Sequence, residues 1–173
     1  STDFVFDIYE DKGGRLWLAL YGALNILTFD KNQVHIRKFE DDLILPSNYV
    51  SCIEDDKNGN LWFGTLNMGA FKINISGKDS GRIQRFEPND NDYHIQPSIN
   101  DMTVWSIEKD NRERIWFATN SGGLNRYDGT AFTSYTETNG MPSNQILKVY
   151  EDCEGNIWFG SGYGLTRFQG DRF

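Results

Sequence analysis

Apolar residues recur along this chain in short alternating runs, each followed by a polar turn and then by a nearly continuous apolar run. The alternating runs cover residues 5–8, 50–53, 104–107 and 146–149. The continuous runs contain Leu-Trp or Ile-Trp and begin at Leu16, Leu61, Ile115 and Ile157. A period of two predicts β-strands, and an aromatic-rich apolar run predicts a strand covered on both faces. No capped apolar stripe has the helical period, so we predict little helix.

An aspartate precedes a tryptophan by six residues in each of four copies of one motif. The copies are Asp11–Trp17, Asp56–Trp62, Asp110–Trp116 and Asp152–Trp158. Their starts lie 45, 54 and 42 residues apart, which is typical of a four-stranded propeller blade. We expect the aspartate to cap a turn in which Gly or Asn adopts positive φ. Blade three has Glu113 where the other copies have glycine.

A sheet with two apolar faces is unstable alone in water, whereas blades stacked around an axis cover each other. We therefore predict an all-β fold, a β-propeller of four four-stranded antiparallel blades with the repeated tryptophans packed between blades. The blades cover about 4–39, 49–87, 103–136 and 146–173, in a single propeller unit over 1–173.

The predicted ring lacks a spare strand for closure. The chain begins inside the first strand of blade one and ends as the fourth strand of blade four starts. We therefore expect an open arc or a fragment of a larger propeller, with an apolar blade face at each end that favours association into a homo-oligomer. A self-closed four-bladed ring and a pair of arcs are the alternatives.

The repeat units resemble the two-component regulator propeller family. The resemblance covers the whole chain and is carried by Asp56-x-x-Gly59-x-Leu-Trp-Phe-Gly-Thr65, by Trp116-Phe-Ala-Thr119 with Gly122-Gly-Leu-x-Arg-Tyr-Asp128, and by Pro-Ser-Asn at Asn48 and Asn144. It implies the sensor portion of a bacterial two-component receptor, on the periplasmic or extracellular side of the inner membrane, without catalytic activity. Many members sense oligosaccharides, so the resemblance implies such a ligand or another small molecule. Ligand identity, blade number and output domain stay open.

Composition excludes several other classes of protein. The net charge of the 173 residues is −8 and the sequence pI is about 4.7, so we expect no nucleic-acid binding, which requires a positive surface. An apolar run long enough to cross a bilayer does not occur, and we expect no direct membrane contact in this segment. Cys52 and Cys153 occupy different repeat positions, and we expect both to be free thiols.

Candidate chemistry is sparse. His35 and His94 are the only histidines and lack matching ligand spacing, and the Asp-x-x-Gly turns lack the last acidic ligand of a calcium loop. We therefore predict no metal site, no cofactor and no catalytic residue. Streptogramin-lyase propellers carry similar units with histidines on the central face, so a lyase-like enzyme is a further alternative, as is a protein-interaction scaffold.

A ligand site is expected where the loops entering each blade share a face with the turns between second and third strands. The loop from Phe86 to Val104 is seven residues longer than its counterparts, 39–50 and 135–146, and insertions often mark a binding face. Trp105, which follows this loop, is expected to pack between blades. Predicted ligand-binding residues are amides and tyrosines on this face: Tyr21, Asn48, Asn67, Tyr93, Asn100, Asn120, Asn144 and Tyr163.

Overall fold

The computed structural model describes residues 4–31, 33–39, 49–76, 80–88, 98–169 and 172, and these residues form four antiparallel sheets. In blade one the strands are β1 (Val5–Glu10), β2 (Leu16–Leu20), β3 (Ala23–Asp30) and β4 (Gln33–Lys38). In blade two they are β5 (Val50–Asp55), β6 (Asn60–Thr65), β7 (Ala70–Asn74) and β8 (Ile83–Phe86). Blade three contains β9 (Val104–Lys109), β10 (Ile115–Thr119), β11 (Leu124–Tyr127) and β12 (Phe132–Tyr135). Blade four contains β13 (Ile146–Glu151), β14 (Ile157–Ser161) and β15 (Gly164–Phe168).

Strand order within every sheet follows the chain, as in a meander. The three strands described in blade four are followed by a bridge between Gln169 and Arg172, where the sequence predicts the start of a fourth strand. A 3-10 turn over Glu137–Asn139 is the helical element of the described residues. None of the helical segments in the described ranges has the length and apolarity needed to span a bilayer. The predicted all-β propeller fold is confirmed.

The first strands of consecutive blades, β1, β5, β9 and β13, contact one another in that order. Polar side chains join these innermost strands. The Asp7 carboxylate accepts a hydrogen bond from Ile53 N in the next blade (2.8 Å), and Ser51 Oγ donates to Val104 O (2.5 Å). Because such bonds tie one innermost strand to the backbone of the next, they fix the blades in sequence around the arc.

Three apolar cores lie between neighbouring blades, and a tryptophan enters each one. Trp17 packs with Ile53, Leu61 and Phe63 of blade two. Trp62 and Trp116 lie in the equivalent cores of the next two interfaces. Burying a ring of this size removes roughly 150–250 Å² from water, which at about 25 cal/mol/Å² is about 4–6 kcal/mol before entropy. The predicted packing role is confirmed for these three residues.

Trp158 is only half-buried. It occupies the same register position in blade four, but no further described blade covers its face. Its indole still makes the hydrogen bond that is common to the repeat, to the carboxylate six residues earlier.

Each indole Nε1 donates to the repeated aspartate, at 2.7 Å (Trp17–Asp11), 3.2 Å (Trp62–Asp56), 2.8 Å (Trp116–Asp110) and 2.7 Å (Trp158–Asp152). The other carboxylate oxygen accepts backbone N–H groups of the turn; for Asp110 these are Arg112 N (3.0 Å) and Arg114 N (2.9 Å). The aspartate therefore caps the turn, as predicted, and also satisfies the polar atom of a buried indole. In this Asp–Trp pair, the six-residue spacing spans one hairpin.

Candidate functional site

The loops that enter each blade meet the turns between second and third strands at one face of the arc, here called the loop face. Gly69 N in the β6–β7 turn donates to Met102 O (2.7 Å), and Gly123 N in the β10–β11 turn donates to Asn144 O (2.8 Å). Both glycines have positive φ, 72° and 74°. A Cβ would stand 2.2 Å from Phe86 O in the first case and 2.0 Å from Tyr135 O in the second. Only glycine allows this approach.

An aromatic group lies on the loop face where blades one and two meet. The Tyr49 hydroxyl donates to the Tyr21 hydroxyl (3.0 Å), and the two rings are T-shaped with centroids 4.5 Å apart. The ring centroid of Phe6 lies 6.5 Å from that of Tyr21, and the ring centroid of Phe4 lies 6.0 Å from that of Phe6. We call these four residues the tyrosine cluster. Tyr21 is 42% exposed, so part of this cluster is at the surface.

Backbone strain coincides with this cluster. Tyr49 has a φ of 74°, a left-handed conformation that is costly for a residue with a bulky side chain. The hydrogen bond with Tyr21 raises the pKa of Tyr49. Tyr49 is half-buried, and residues with strained backbone of this kind cluster at binding and active sites.

A second exposed group on the loop face joins blades three and four. The Asn120 side-chain oxygen accepts a hydrogen bond from Trp105 Nε1 (3.4 Å) and another from Gln145 Nε2 (3.3 Å). Trp105 is 37% exposed, so the expectation that it packs between blades is wrong. Ile107, two residues further along β9, is buried, so alternation alone does not expose Trp105. The pairing of β9 with β10 shifts register between Val104 and Ser106, and a bulge of this kind redirects the side chain of the extra residue. We call these three residues the tryptophan cluster.

Two predicted ligand residues are engaged in holding loops. Asn100 donates to Gly122 O (2.8 Å) and accepts from Asn125 Nδ2 (2.8 Å). The Asn144 side chain accepts from Glu137 N (2.8 Å), and Asn144 N donates to the Glu137 carboxylate (3.0 Å). Both polar atoms of the Asn100 side chain and the side-chain oxygen of Asn144 are therefore bonded within the protein, although both residues lie on the predicted face.

The other predicted residues are distributed as follows. Asn67 and Tyr163 are exposed in the turns of blades two and four. Asn48 and Tyr93 fall outside the described residues, as does His94, whereas His35 lies exposed on β4. The structure thus brings Tyr21 and Asn120 into clusters, each with partners that were not among the predicted ligand-binding residues: Phe4, Phe6 and Tyr49 in the first, Trp105 and Gln145 in the second. Tyr49 directly follows Asn48 in the sequence. A tyrosine at this position, next to a predicted ligand residue, is the sequence signal that could have identified it.

A cleft of about 520 Å³ opens on the other side of the arc, between the β1–β2 and β5–β6 hairpins. We call this side the hairpin face. Its walls include Asp11, Lys12 and Asp55. Asp11 is already paired with Trp17, and Asp55 is paired with Lys12 (3.4 Å) and with Lys109. Since the Asp11 and Asp55 carboxylates already have partners within the protein, the cleft offers a ligand fewer acceptors than its composition suggests.

Carboxylates also converge near this hairpin face on the innermost strands. Burial raises the pKa of Glu54 to about 7, and the nearby Glu108 and Asp55 charges add to the effect. Asp55 N donates to the Glu54 carboxylate (3.0 Å) and Lys109 lies close by, and both oppose the shift. Burial likewise raises the pKa of Glu108. Within the described ranges, no three His, Cys, Asp or Glu side chains are arranged to hold a metal ion.

The stacked sheets define a β-propeller arc, and solved structures share its fold. The extracellular domain of a one-component system from B. thetaiotaomicron matches with a TM-score of 0.72 and 20% identity, over 95% of this chain and 21% of that one. The extracellular domain of a hybrid two-component system from the same organism matches with a TM-score of 0.70 and 25% identity, over 98% and 22%. A streptogramin B lyase matches with a TM-score of 0.64 and 16% identity, over 95% and 54%.

The family model described as "Two component regulator propeller" matches residues 1–22, 44–67 and 98–121. These three parts of the chain therefore match two-component regulator propeller repeats, and the resemblance predicted from the motifs is confirmed. Histidine kinase P4 of Formosa agariphila is 28% identical over 206 residues, covering 88% of this chain and 15% of that kinase. The chain thus spans less than a quarter of the two extracellular domains and of the kinase.

Proposed function

We propose that this chain is a non-catalytic, ligand-sensing propeller segment of a bacterial two-component receptor, on the periplasmic or extracellular side of the inner membrane. Its repeats match the two-component regulator propeller model, and similar solved domains are extracellular. The loop face would bind the ligand, an oligosaccharide or another small molecule.

The exposed tyrosine and tryptophan clusters carry this proposal. Rings such as Tyr21 and Trp105 present apolar faces on which a sugar can stack, while the Tyr21 hydroxyl and the amides of Asn120 and Gln145 lie within the same clusters. Recognition of a polar ring requires this combination of a flat apolar surface and a few placed polar groups.

Binding can be tested by thermal shift and calorimetry with a panel of neutral and acidic oligosaccharides. A binding oligosaccharide should lose affinity for Tyr21→Ala or Trp105→Ala by about tenfold, since an aromatic contact is worth about 0.5–1.5 kcal/mol beyond the area that it buries and about 1.4 kcal/mol is tenfold in affinity. Phe29→Ala is the matched control, because Phe29 is an exposed ring near the other end of β3. Equal affinity in all three variants would show that the loop face is not the binding site. If no oligosaccharide binds, oligosaccharides are excluded as the ligand class.

A protein-interaction scaffold is the second candidate, because both terminal blades expose large apolar side chains, among them Ile8 and Leu165. Substitutions on different surfaces distinguish the two candidates. Ligand sensing depends on the loop face, whereas a scaffold depends on the outer faces of blades one and four.

A further inference from the structure

A second cleft on the hairpin face lies between blades three and four and is lined by arginines. Its volume is about 310 Å³. Arg112 and Arg114, in the β9–β10 hairpin, and Arg126, on β11, line its blade-three side, and the β13–β14 hairpin lines the opposite side. We call it the arginine cleft. Both of its sides belong to neighbouring described blades, so the cleft is a feature of an internal blade junction.

Blade three is the one blade with arginine at all three of these repeat positions. The equivalent residues in blades one, two and four are Gly13, Asn58 and Glu154 for Arg112, Arg15, Asn60 and Asn156 for Arg114, and Ile26, Lys72 and Arg167 for Arg126. Each position is thus occupied by an uncharged residue in at least one other blade. The blade fold therefore does not require three cations here, and their convergence indicates a role other than folding.

Contacts within blade three hold two of the guanidinium groups in place. The Cζ atoms of Arg114 and Arg126 lie 5.3 and 5.6 Å from the centroid of the Trp116 ring, within the range of a cation–π contact. Arg114 Nε also donates to the Asp110 carboxylate (2.6 Å). Because these groups are already ordered, binding a ligand would cost little side-chain entropy.

The Asp110 carboxylate has little capacity left to neutralise the arginines. It accepts from Arg112 N, Arg114 N, Arg114 Nε and Trp116 Nε1, and a carboxylate has about four lone-pair sites. Within the described ranges, the guanidinium group of Arg112 makes no ion pair or hydrogen bond with the protein. N–H groups of Arg112 and the Nη groups of Arg114 therefore remain for a ligand in the cleft.

The charge of the cleft is opposite to that of the chain. Three of its lining residues are cationic and one, Glu154, is acidic, whereas the chain has a net charge of −8. The Glu154 carboxylate accepts a hydrogen bond from Asn156 Nδ2 of its own hairpin (3.4 Å). An anion is therefore favoured at this place by the local charges and not by the overall charge of the chain.

We propose that the arginine cleft binds one small oxyanion, with a carboxylate, phosphate or sulfate group. Arginine presents its N–H groups in a planar fork that matches such groups and can bind them with two parallel hydrogen bonds. The volume of the cleft is at the lower end of the range for ligand pockets, as expected for a small ligand. The site lies on the hairpin face and is independent of ligand sensing at the loop face.

Isothermal titration calorimetry with sulfate, phosphate and acetate tests the proposal, with ionic strength held constant by sodium chloride. At least one of these anions should bind the wild-type chain saturably, with one site per chain, and their relative affinities identify the preferred oxyanion. Arg112→Asn and Arg126→Lys should each weaken binding about tenfold, because each removes charge-assisted or bidentate hydrogen bonds. Blade two has Asn58 and Lys72 at these positions, so both variants should fold, which far-UV circular dichroism checks.

Arg15→Asn is the matched control. Arg15 occupies the position of Arg114 in blade one and makes the same 2.6 Å ion pair with its aspartate, but it lies outside the arginine cleft. Anion binding should therefore be unchanged in this variant, and also in Tyr21→Ala on the loop face. Glu154→Gln should tighten binding severalfold, because it removes the opposing charge.

Three results would overturn the proposal. The first is a wild-type chain that binds none of the three anions saturably. The second is unchanged binding in both Arg112→Asn and Arg126→Lys, which would place the anion elsewhere. The third is equal weakening by Arg15→Asn and Arg112→Asn, which would show that the anion responds to the charge of the whole chain.

Discussion

The indole of Trp116 donates a hydrogen bond of 2.8 Å to the carboxylate of Asp110, and both side chains are buried. Asp110 also accepts from Arg112 N, Arg114 N and Arg114 Nε. One carboxylate therefore joins a turn, a cation and the core of an interface.

Removing this carboxylate should be costly. Asp110→Ala leaves the Trp116 indole and two turn N–H groups without their acceptor, and we expect a loss of about 3 kcal/mol in the free energy of unfolding. Asp152→Ala is the matched control, because Trp158 is only half-buried and water can replace the carboxylate. Urea unfolding measures both, and equal losses would contradict the role assigned to burial.

Glu113→Gly should stabilise the protein. Glu113 has a φ of 64°, in the turn position where Gly14, Gly59 and Gly155 have 73°, 76° and 81°. A left-handed backbone costs a non-glycine residue about 1–2 kcal/mol, which the variant would regain. The greater freedom of glycine in the unfolded chain destabilises the folded variant by about 0.4–1 kcal/mol and offsets part of this gain. A net gain of about 0.5–1 kcal/mol should raise the urea midpoint. Arg112→Gly, in the same turn but at a residue without positive φ, should lower the urea midpoint. A lower midpoint for both variants would show that the backbone of Glu113 is not strained.

The two cysteines should differ in reactivity. Cys52 is buried and burial raises its pKa to about 12, whereas Cys153 is exposed. A thiol reagent added to the native protein at pH 8 should modify one thiol rapidly, and Cys153→Ser should abolish this phase. The second thiol should react only after denaturation. Rapid reaction of both thiols in the native state would mean that blades two and three separate readily.

Stability should fall as pH rises through the range of Glu54. Its folded-state pKa of about 7 lies above the ordinary value, so the folded state holds a proton that the unfolded state has released. Unfolding free energy should therefore decrease between about pH 4.5 and pH 7. Glu54→Gln should remove this part of the slope, with Glu137→Gln, on the exposed 3-10 turn, as control. Parallel pH profiles for wild type and Glu54→Gln would disprove the contribution.

The repeated spacing was sufficient to predict the fold. Aspartate and tryptophan six residues apart, inside alternating apolar runs, placed the strands and the packing of Trp17, Trp62 and Trp116 correctly. The hydrogen bond inside the pair could not be read from the spacing, because a turn cap alone also explains the aspartate.

The candidate site was less predictable. An amide in a loop has the same sequence signature whether it faces solvent or holds the backbone, so Asn100 and Asn144 could not be distinguished from Asn120. Trp105 was expected to pack between blades, yet it lies at a shift in the pairing register of β9 and β10 and is exposed on the loop face. A register shift of this kind leaves no clear signal in the sequence. Tyr49 could not be placed in the site from the sequence, because its position depends on a positive φ that a tyrosine does not predict.

Because each blade packs mainly on its immediate neighbours, cooperativity should weaken with distance along the arc. Amide hydrogens of β6 and β10, in blades covered on both sides, should exchange more slowly than those of β2 and β14. Blades one and four would then unfold and refold locally while blades two and three stay folded, so that the two ends of the arc are less stable than its centre.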